Sequence, residues 1–210
     1  MSITVKKKLS NAELLFFGTV KGLVKERAEL RARFNEFEPE VVLLGIAPEE
    51  LKGLKKYLKE PFEIEPDDYE VIYAKKLEKY GEVGIPVPTY LEVFSILKDK
   101  DLEIVPLDMP DKEYTSLFVK KIDFFKIMRH DMRKRKIWKM SFEDSTPEDF
   151  VIHWDREVNR IKVFREIEQE REKYMAGKIL EFVSKNDYKK IIVVLELERM
   201  NGVLSKLNAE

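Results

Sequence analysis

Lys190-Ile191-Ile192-Val193-Val194-Leu195-Glu196-Leu197 decides the fold. Five consecutive Ile, Val and Leu residues, without apolar/polar alternation and closed by a carboxylate, read as a strand covered on both faces rather than one face of an open antiparallel sheet. Working outward, three shorter runs have the same character: Leu14–Phe17, Val41–Ile46 and Leu102–Leu107. Helical patterns lie between them. Leu23–Phe37 spaces Leu23, Ala28, Leu30 and Phe34 at helical intervals, with charges filling the rest. Pro48 stands at a favoured first-turn position, ahead of a stripe made by Leu51, Leu54 and Leu58. Thr89 and Glu92 have capping-box spacing for a helix carrying Leu91, Val93, Phe94, Ile96 and Leu97. Strand alternating with helix is the pattern of crossover units on a largely parallel sheet.

From Lys112 to Ser184 the rhythm breaks and only helix is read, with turns near Ile122-Asp123 and Ser141–Asp144. Ser145, Pro147 and Glu148 supply an N-cap, a first-turn proline and an N3 acid, and a long helix then runs over Ile161–Val183. The expected fold class is therefore α/β: a mostly parallel central sheet, flanking helices and a helical insertion at about 112–184, before the last strand. With no linker rich in Gly, Ser or Pro, residues 1–210 read as one domain.

Composition narrows the chemistry. The chain has no cysteine, which excludes a disulfide scaffold, a Cys-ligated zinc site and a thiol nucleophile. Its formal net charge of -1 argues against a general nucleic-acid binder. Charged residues reach 38% against ~25% in an average protein, and Gln169 is the only glutamine, a bias that fits a thermophilic source. No apolar run approaches the ~20 residues of a membrane span, and Met1–Ser10 lacks the apolar stretch of a signal peptide. A soluble, cytoplasmic protein with no membrane partner is expected.

The two histidines, His130 and His153, form no His-Glu-x-x-His motif, and there is no Gly-x-Ser-x-Gly elbow or phosphate loop. Lys120–Met140 carries nine cations against Asp123 and Asp131, with Phe124, Phe125 and Trp138 interleaved. Nucleic-acid binding is one reading. The preferred reading packs Phe125, Met128 and Met132 inward as one helical face and leaves the cations solvated or facing the acidic Glu60–Glu70 region. The aromatic and methionine content of the insertion also suits a homo-oligomer, although covering the sheet is the simpler use.

Several segments together resemble the TraB/PrgY/TIKI family. Glu170-Arg171-Glu172-Lys173-Tyr174-Met175-Ala176 is similar to its Glu-Arg-x-x-x-Met-Ala helix, and Arg199-Met200-Asn201-Gly202 to the end of its Gly-x-Gly-His-x-x-Gly strand. Phe17-Gly18-Thr19-Val20-Lys21 resembles the Gly-Thr-x-His turn, Pro39-Glu40-Val41-Val42 the Pro-Asp-x-Val strand, and Val105-Pro106-Leu107-Asp108 the strand ending in Asp-Arg. Ser145-Thr146-Pro147-Glu148 with Trp154 resembles the helical region between. The resemblance implies an erythromycin-esterase/ChaN-like fold. It also implies metal-dependent proteolysis through two histidines, and both are missing. Their positions hold Lys21 and Arg199 (Glu198 if the alignment slips by one), a family glutamate falls at Gly45, and the arginine after Asp108 is Met109. Lysine and arginine cannot replace a neutral imidazole on a divalent ion.

The expected protein is thus a TraB-like pseudoenzyme without metal or cofactor. Its ligand-binding residues would be Thr19, Lys21, Asp108, Arg171, Glu198 and Arg199, and its ligand a small anion or a protein partner. Internal pairing of Lys21 and Arg199 with Asp108, Glu170 or Glu198 is the competing expectation. The alternative activity is a metal-dependent hydrolase or peptidase using the carboxylates of Asp108, Glu170, Glu196 and Glu198.

Overall fold

The computed structural model of the chain describes residues 3–98, 100 and 102–208. Its centre is β5 (Lys190–Glu196), the last strand in sequence and the middle one in space. It pairs in parallel with β2 (Ala12–Thr19) on one side and with β3 (Val41–Leu44) on the other, and β4 (Glu103–Pro106) continues the parallel sheet beyond β3. The registers Phe17↔Val194 and Leu44↔Val194 align the strand ends, so the segments after β2, β3 and β5 emerge together.

The non-alternating strands are explained by two separate cores. Leu14, Phe16, Leu43, Ile191, Val193 and Leu195 face one side, under α3 (Asp68–Leu77), α7 (Pro147–Val158), α8 (Lys162–Lys185) and α9 (Leu197–Leu207). Leu15, Phe17, Val42, Leu44, Ile192 and Val194 face the other, under α1 (Glu26–Phe37), α2 (Pro48–Lys59) and α4 (Pro88–Leu97). Each of these residues therefore reaches apolar surroundings whichever way it points. The fold is α/β, with a mostly parallel five-stranded sheet and nine α-helices among the described residues. The insertion supplies α5 (Asp111–Lys121), α6 (Phe124–Lys139), α7 and α8.

Some local expectations are corrected. The sheet has a fifth strand that the sequence did not suggest: β1 (Ile3–Leu9) pairs antiparallel with β2 at the edge. Its Lys6, Lys7 and Lys8 obscure the strand pattern, yet lysines on an edge strand discourage pairing with other chains. Thr89 and Glu92 form no capping box; α4 starts at Pro88 with Val87 as N-cap. Glu92 is instead buried beneath Arg27 (2.9 Å) and Arg31. The observed capping box is Asp67/Glu70 on α3, and Thr146, not Ser145, caps α7.

Thr19, a proposed ligand contact, is fully buried. Its hydroxyl is taken by Glu26 Oε2 (2.7 Å) and Thr89 Oγ1 (2.9 Å), so it ties the end of β2 to α1 and α4. Glu26 also accepts from the backbone N–H of Val20 (2.9 Å). Burial raises its carboxyl to about 7 despite those bonds. The folded state therefore holds a proton that the unfolded chain releases above the ordinary value of 4.5. The associated stability is fully present below that value and is lost as pH rises through about 7. Melting temperature should fall by several degrees between pH 5 and 8, and Glu26→Gln should flatten the profile; equal slopes for the two proteins would show that Glu26 is not responsible.

Candidate functional site

A cleft of about 600 Å³ opens at the carboxyl ends of β2, β3 and β5, where open α/β sheets place their ligands. Tyr57, Phe62, Tyr69, Tyr73, Tyr90 and Trp154 provide aromatic walls, and the segment Val83–Val87 forms part of the rim. Leu23, expected inside a helix, instead bridges to Val83 and holds that segment against the end of β2.

A chain of ion pairs runs along one wall of the cleft. Asp108, two residues beyond β4, receives the guanidinium of Arg171 on α8, with Nε–Oδ2 at 3.2 Å and a shorter contact from Nη2. Arg171 Nη1 reaches Glu168 Oε2 at 2.8 Å, and the same oxygen lies 3.3 Å from Arg199 Nη1. Arg199 on α9 also contacts Asp155 and Glu172, the latter at 3.3 Å. Gly202 gives Glu172 its place, because a β-carbon there would stand 2.1 Å from the Glu172 carboxyl. Lys21 sits apart from this chain, 3.3 Å from Glu70 and 4.0 Å from Glu196. Burial would lower the Lys21 pKa, but Glu196, Glu70 and Glu50 hold it above its ordinary value. Burial brings Arg199 down to about 10, which leaves it cationic at neutral pH.

Four of the six proposed ligand residues line the cleft: Lys21, Arg171, Glu198 and Arg199. Thr19 and Asp108 stand behind it as structural partners. The cations pair internally, though with Glu70, Glu196, Asp155, Glu168 and Glu172 rather than with the acids the sequence suggested; Arg171 alone holds Asp108. Glu170 is solvent-exposed on the other side of α8. Among the described residues, no group of three or more His, Asp or Glu side chains is arranged as a metal-ligand set. His130 stacks on Phe164 at 4.2 Å and His153 bonds Asp144 at 3.1 Å.

The cleft is lined by six acids, Glu50, Glu70, Asp155, Glu168, Glu196 and Glu198, against three cations. Desolvation, followed by the charge of Glu196, pushes Glu50 up to about 7 and Glu198 well above the carboxylate range. Glu50 keeps contact with solvent at the mouth, so screening weakens its shift most. Among the described residues, Glu198 Oε2 is buried without a hydrogen-bond partner, as are the hydroxyls of Tyr73 and Tyr90, and all three residues line the same cleft. Such groups carry an unpaid desolvation cost that a ligand with donors can relieve. Sequence reasoning missed Glu50, Glu168 and Asp155. Glu50 was reachable from its place in the first turn of α2, just beyond β3; the other two sit deep in helices whose inward faces only the packing reveals.

Fold and site together define an α/β protein with an aromatic, acid-rich cleft at the strand ends. No family model matches the chain, and a search of curated proteins finds no match.

Proposed function

We propose that the chain is a non-catalytic binding protein, a divergent TraB-like pseudoenzyme, whose strand-end cleft takes a small organic cation. The observation carrying this reading is the orphaned Glu198 Oε2 among acids that outnumber the cations two to one. Lys21 and Arg199, which suggested an anion from sequence, are already neutralised by internal acids, so an anion would meet net negative charge. Tyrosine and tryptophan walls suit an ammonium group through cation–π attraction. Supporting the TraB-like part is the placement of Lys21 and Arg199, at the positions of the family's histidines, on one cleft.

The test is a thermal-shift screen with tryptamine, choline and spermidine against phosphate and citrate. An ammonium compound at about 100 times its Kd should add about 2.7 kcal/mol of stability. Affinity should rise from pH 6 to 8 as Glu50 ionises through about 7, and Glu198→Leu, which removes the acceptor, should weaken it about tenfold. Stabilisation by the anions alone would reverse the charge assignment.

A second reading, hydrolysis with Glu50 as acid/base, is favoured by its carboxyl at about 7. Ester or amide turnover that disappears in Glu50→Gln would establish it and displace the binding role.

A further inference from the structure

The insertion helix α6 presents the opposite face from the one its pattern suggests. Phe124 and Phe125 are 72% and 74% exposed, and Met128 and Met132 are 44% and 58% exposed. These four share one side of the helix, and Trp138 is 53% exposed nearer its end. The inward side carries Ile137, His130 and Arg133. Arg133 is bound by Glu157 at 3.0 Å, and Lys134 on the flank reaches Asp68 at 2.6 Å. Polar partners on α3 and α7 thus draw cations inward and turn the phenylalanines and methionines out. An apolar strip of this kind on a folded surface marks an interaction site.

Its charge indicates what it meets. Lys120, Arg129, Arg135, Lys136 and Lys139 are exposed and hold no ion pair among the described residues. The two acids of this segment, Asp123 and Asp131, are engaged by Lys126 and Lys134. A second copy of the chain meeting this face about a two-fold axis would set one group of unpaired cations against another. An anionic bilayer surface complements both features: phosphates for the lysines and arginines, and the headgroup–acyl boundary for the aromatic and methionine side chains. No helix of the described residues is long and apolar enough to cross a membrane, and this mode of contact needs none.

We propose that α6 docks the protein on the surface of an anionic lipid bilayer. Phe124, Phe125, Met128 and Met132 enter the boundary region, and Arg129 and Lys136 bind headgroups beside them. The sequence expectation of no membrane partner rested on the lack of a spanning apolar run, which surface docking does not require. The proposal is independent of what occupies the cleft.

Co-sedimentation with vesicles tests it, using phosphatidylcholine alone and phosphatidylcholine with roughly 40% phosphatidylglycerol. Binding should be at least about tenfold greater on the anionic vesicles and should collapse at about 0.5 M salt. Emission from Trp138 should shift to the blue on binding, since Trp154 is already buried. Phe124→Ser/Phe125→Ser should lower the partition constant by more than about tenfold. Arg129→Ala/Lys136→Ala should lower it by about fivefold per cation. These side chains are exposed, so melting temperatures should hold; Met128→Ser, one turn along, provides the same test should the double variant melt early. Equal binding to neutral vesicles, no binding at all, or binding untouched by the serine variants would overturn the proposal. So would a dimer in sedimentation velocity that Phe124→Ser/Phe125→Ser converts to monomer, which would assign the face to a second copy.

Discussion

Arg171→Met is expected to destabilise the protein by about 3–5 kcal/mol and to lower its melting temperature by about 10 °C. Arg171, on α8, ties that helix to the segment after β4 through Asp108 and is itself steadied by Glu168 on the preceding turn. Asp108 is 6% exposed. Methionine fills much of the same volume but leaves that carboxylate in a poorly hydrated pocket with only the backbone N–H of Met109 (2.7 Å) as partner. Glu168 fares better, because Arg199 remains 3.3 Å away. Burial already pushes the Glu168 carboxyl up, and losing the Arg171 charge favours its protonated form further, so the penalty should shrink at pH 5. Arg171→Lys should fall between, since one ammonium cannot satisfy both acids in the geometry of a guanidinium fork. Glu170→Ala, on the exposed side of the same helix, should stay within about 0.5 kcal/mol of the parent. Chemical denaturation of the four proteins at pH 7.5 and 5 gives the comparison, and an Arg171→Met protein as stable as Glu170→Ala would show that the ion-pair chain contributes nothing to folding.

The contrast between those two neighbours also shows how far the sequence could be read. The central strands were legible because burial on both faces demands unbroken runs such as Ile191–Leu195, and few other structures tolerate them. The edge strand Ile3–Leu9 was not, because an edge needs only half-buried residues such as Val5 and Leu9, and its lysines look like a solvated tail. Helical periodicity correctly grouped Phe125, Met128 and Met132 on one side of α6 but could not say which side faces the protein. That was settled by Glu157 and Asp68, residues far away in sequence that bind Arg133 and Lys134. The site behaved similarly. The rule that ligands gather at strand ends pointed to Lys21, Glu198 and Arg199. The acids that neutralise two of them, Glu70, Asp155 and Glu168, lie on helices whose docking angles no local pattern encodes. With those partners unseen, two cations near one cleft suggested an anion site; with them in place, the charge balance reverses.

Gly45→Ala is the second substitution with a large expected effect, a loss of about 3 kcal/mol and of roughly 6–12 °C in melting temperature. Gly45 follows β3 and donates its N–H to the carbonyl of Val194 at 2.7 Å, which holds the two backbones tightly side by side. A β-carbon at 45 would lie 2.6 Å from Leu195 Cβ and 3.0 Å from Leu195 Cα. Those atoms belong to the central strand, so no rotamer change relieves the contact; β3 and β5 must separate, and the mouth of the cleft must widen with them. Ordinary overpacking against a side chain costs about 1–3 kcal/mol, and a contact with a fixed backbone belongs at the upper end of that range. Glutamate at 45, the residue the TraB-like pattern would place there, meets the same obstacle with a longer and charged side chain, and should be worse. Gly53→Ala provides the opposite sign. Gly53 lies inside α2 with nothing within 4 Å of its added carbon, so alanine there should gain about 0.5–1 kcal/mol by favouring helix and restricting the unfolded chain. Thermal melts of both variants make a matched pair, one methyl group added in each. If Gly45→Ala melts within about 2 °C of the parent, the close approach of β3 to β5 is wrong, and with it the geometry assigned to that side of the cleft.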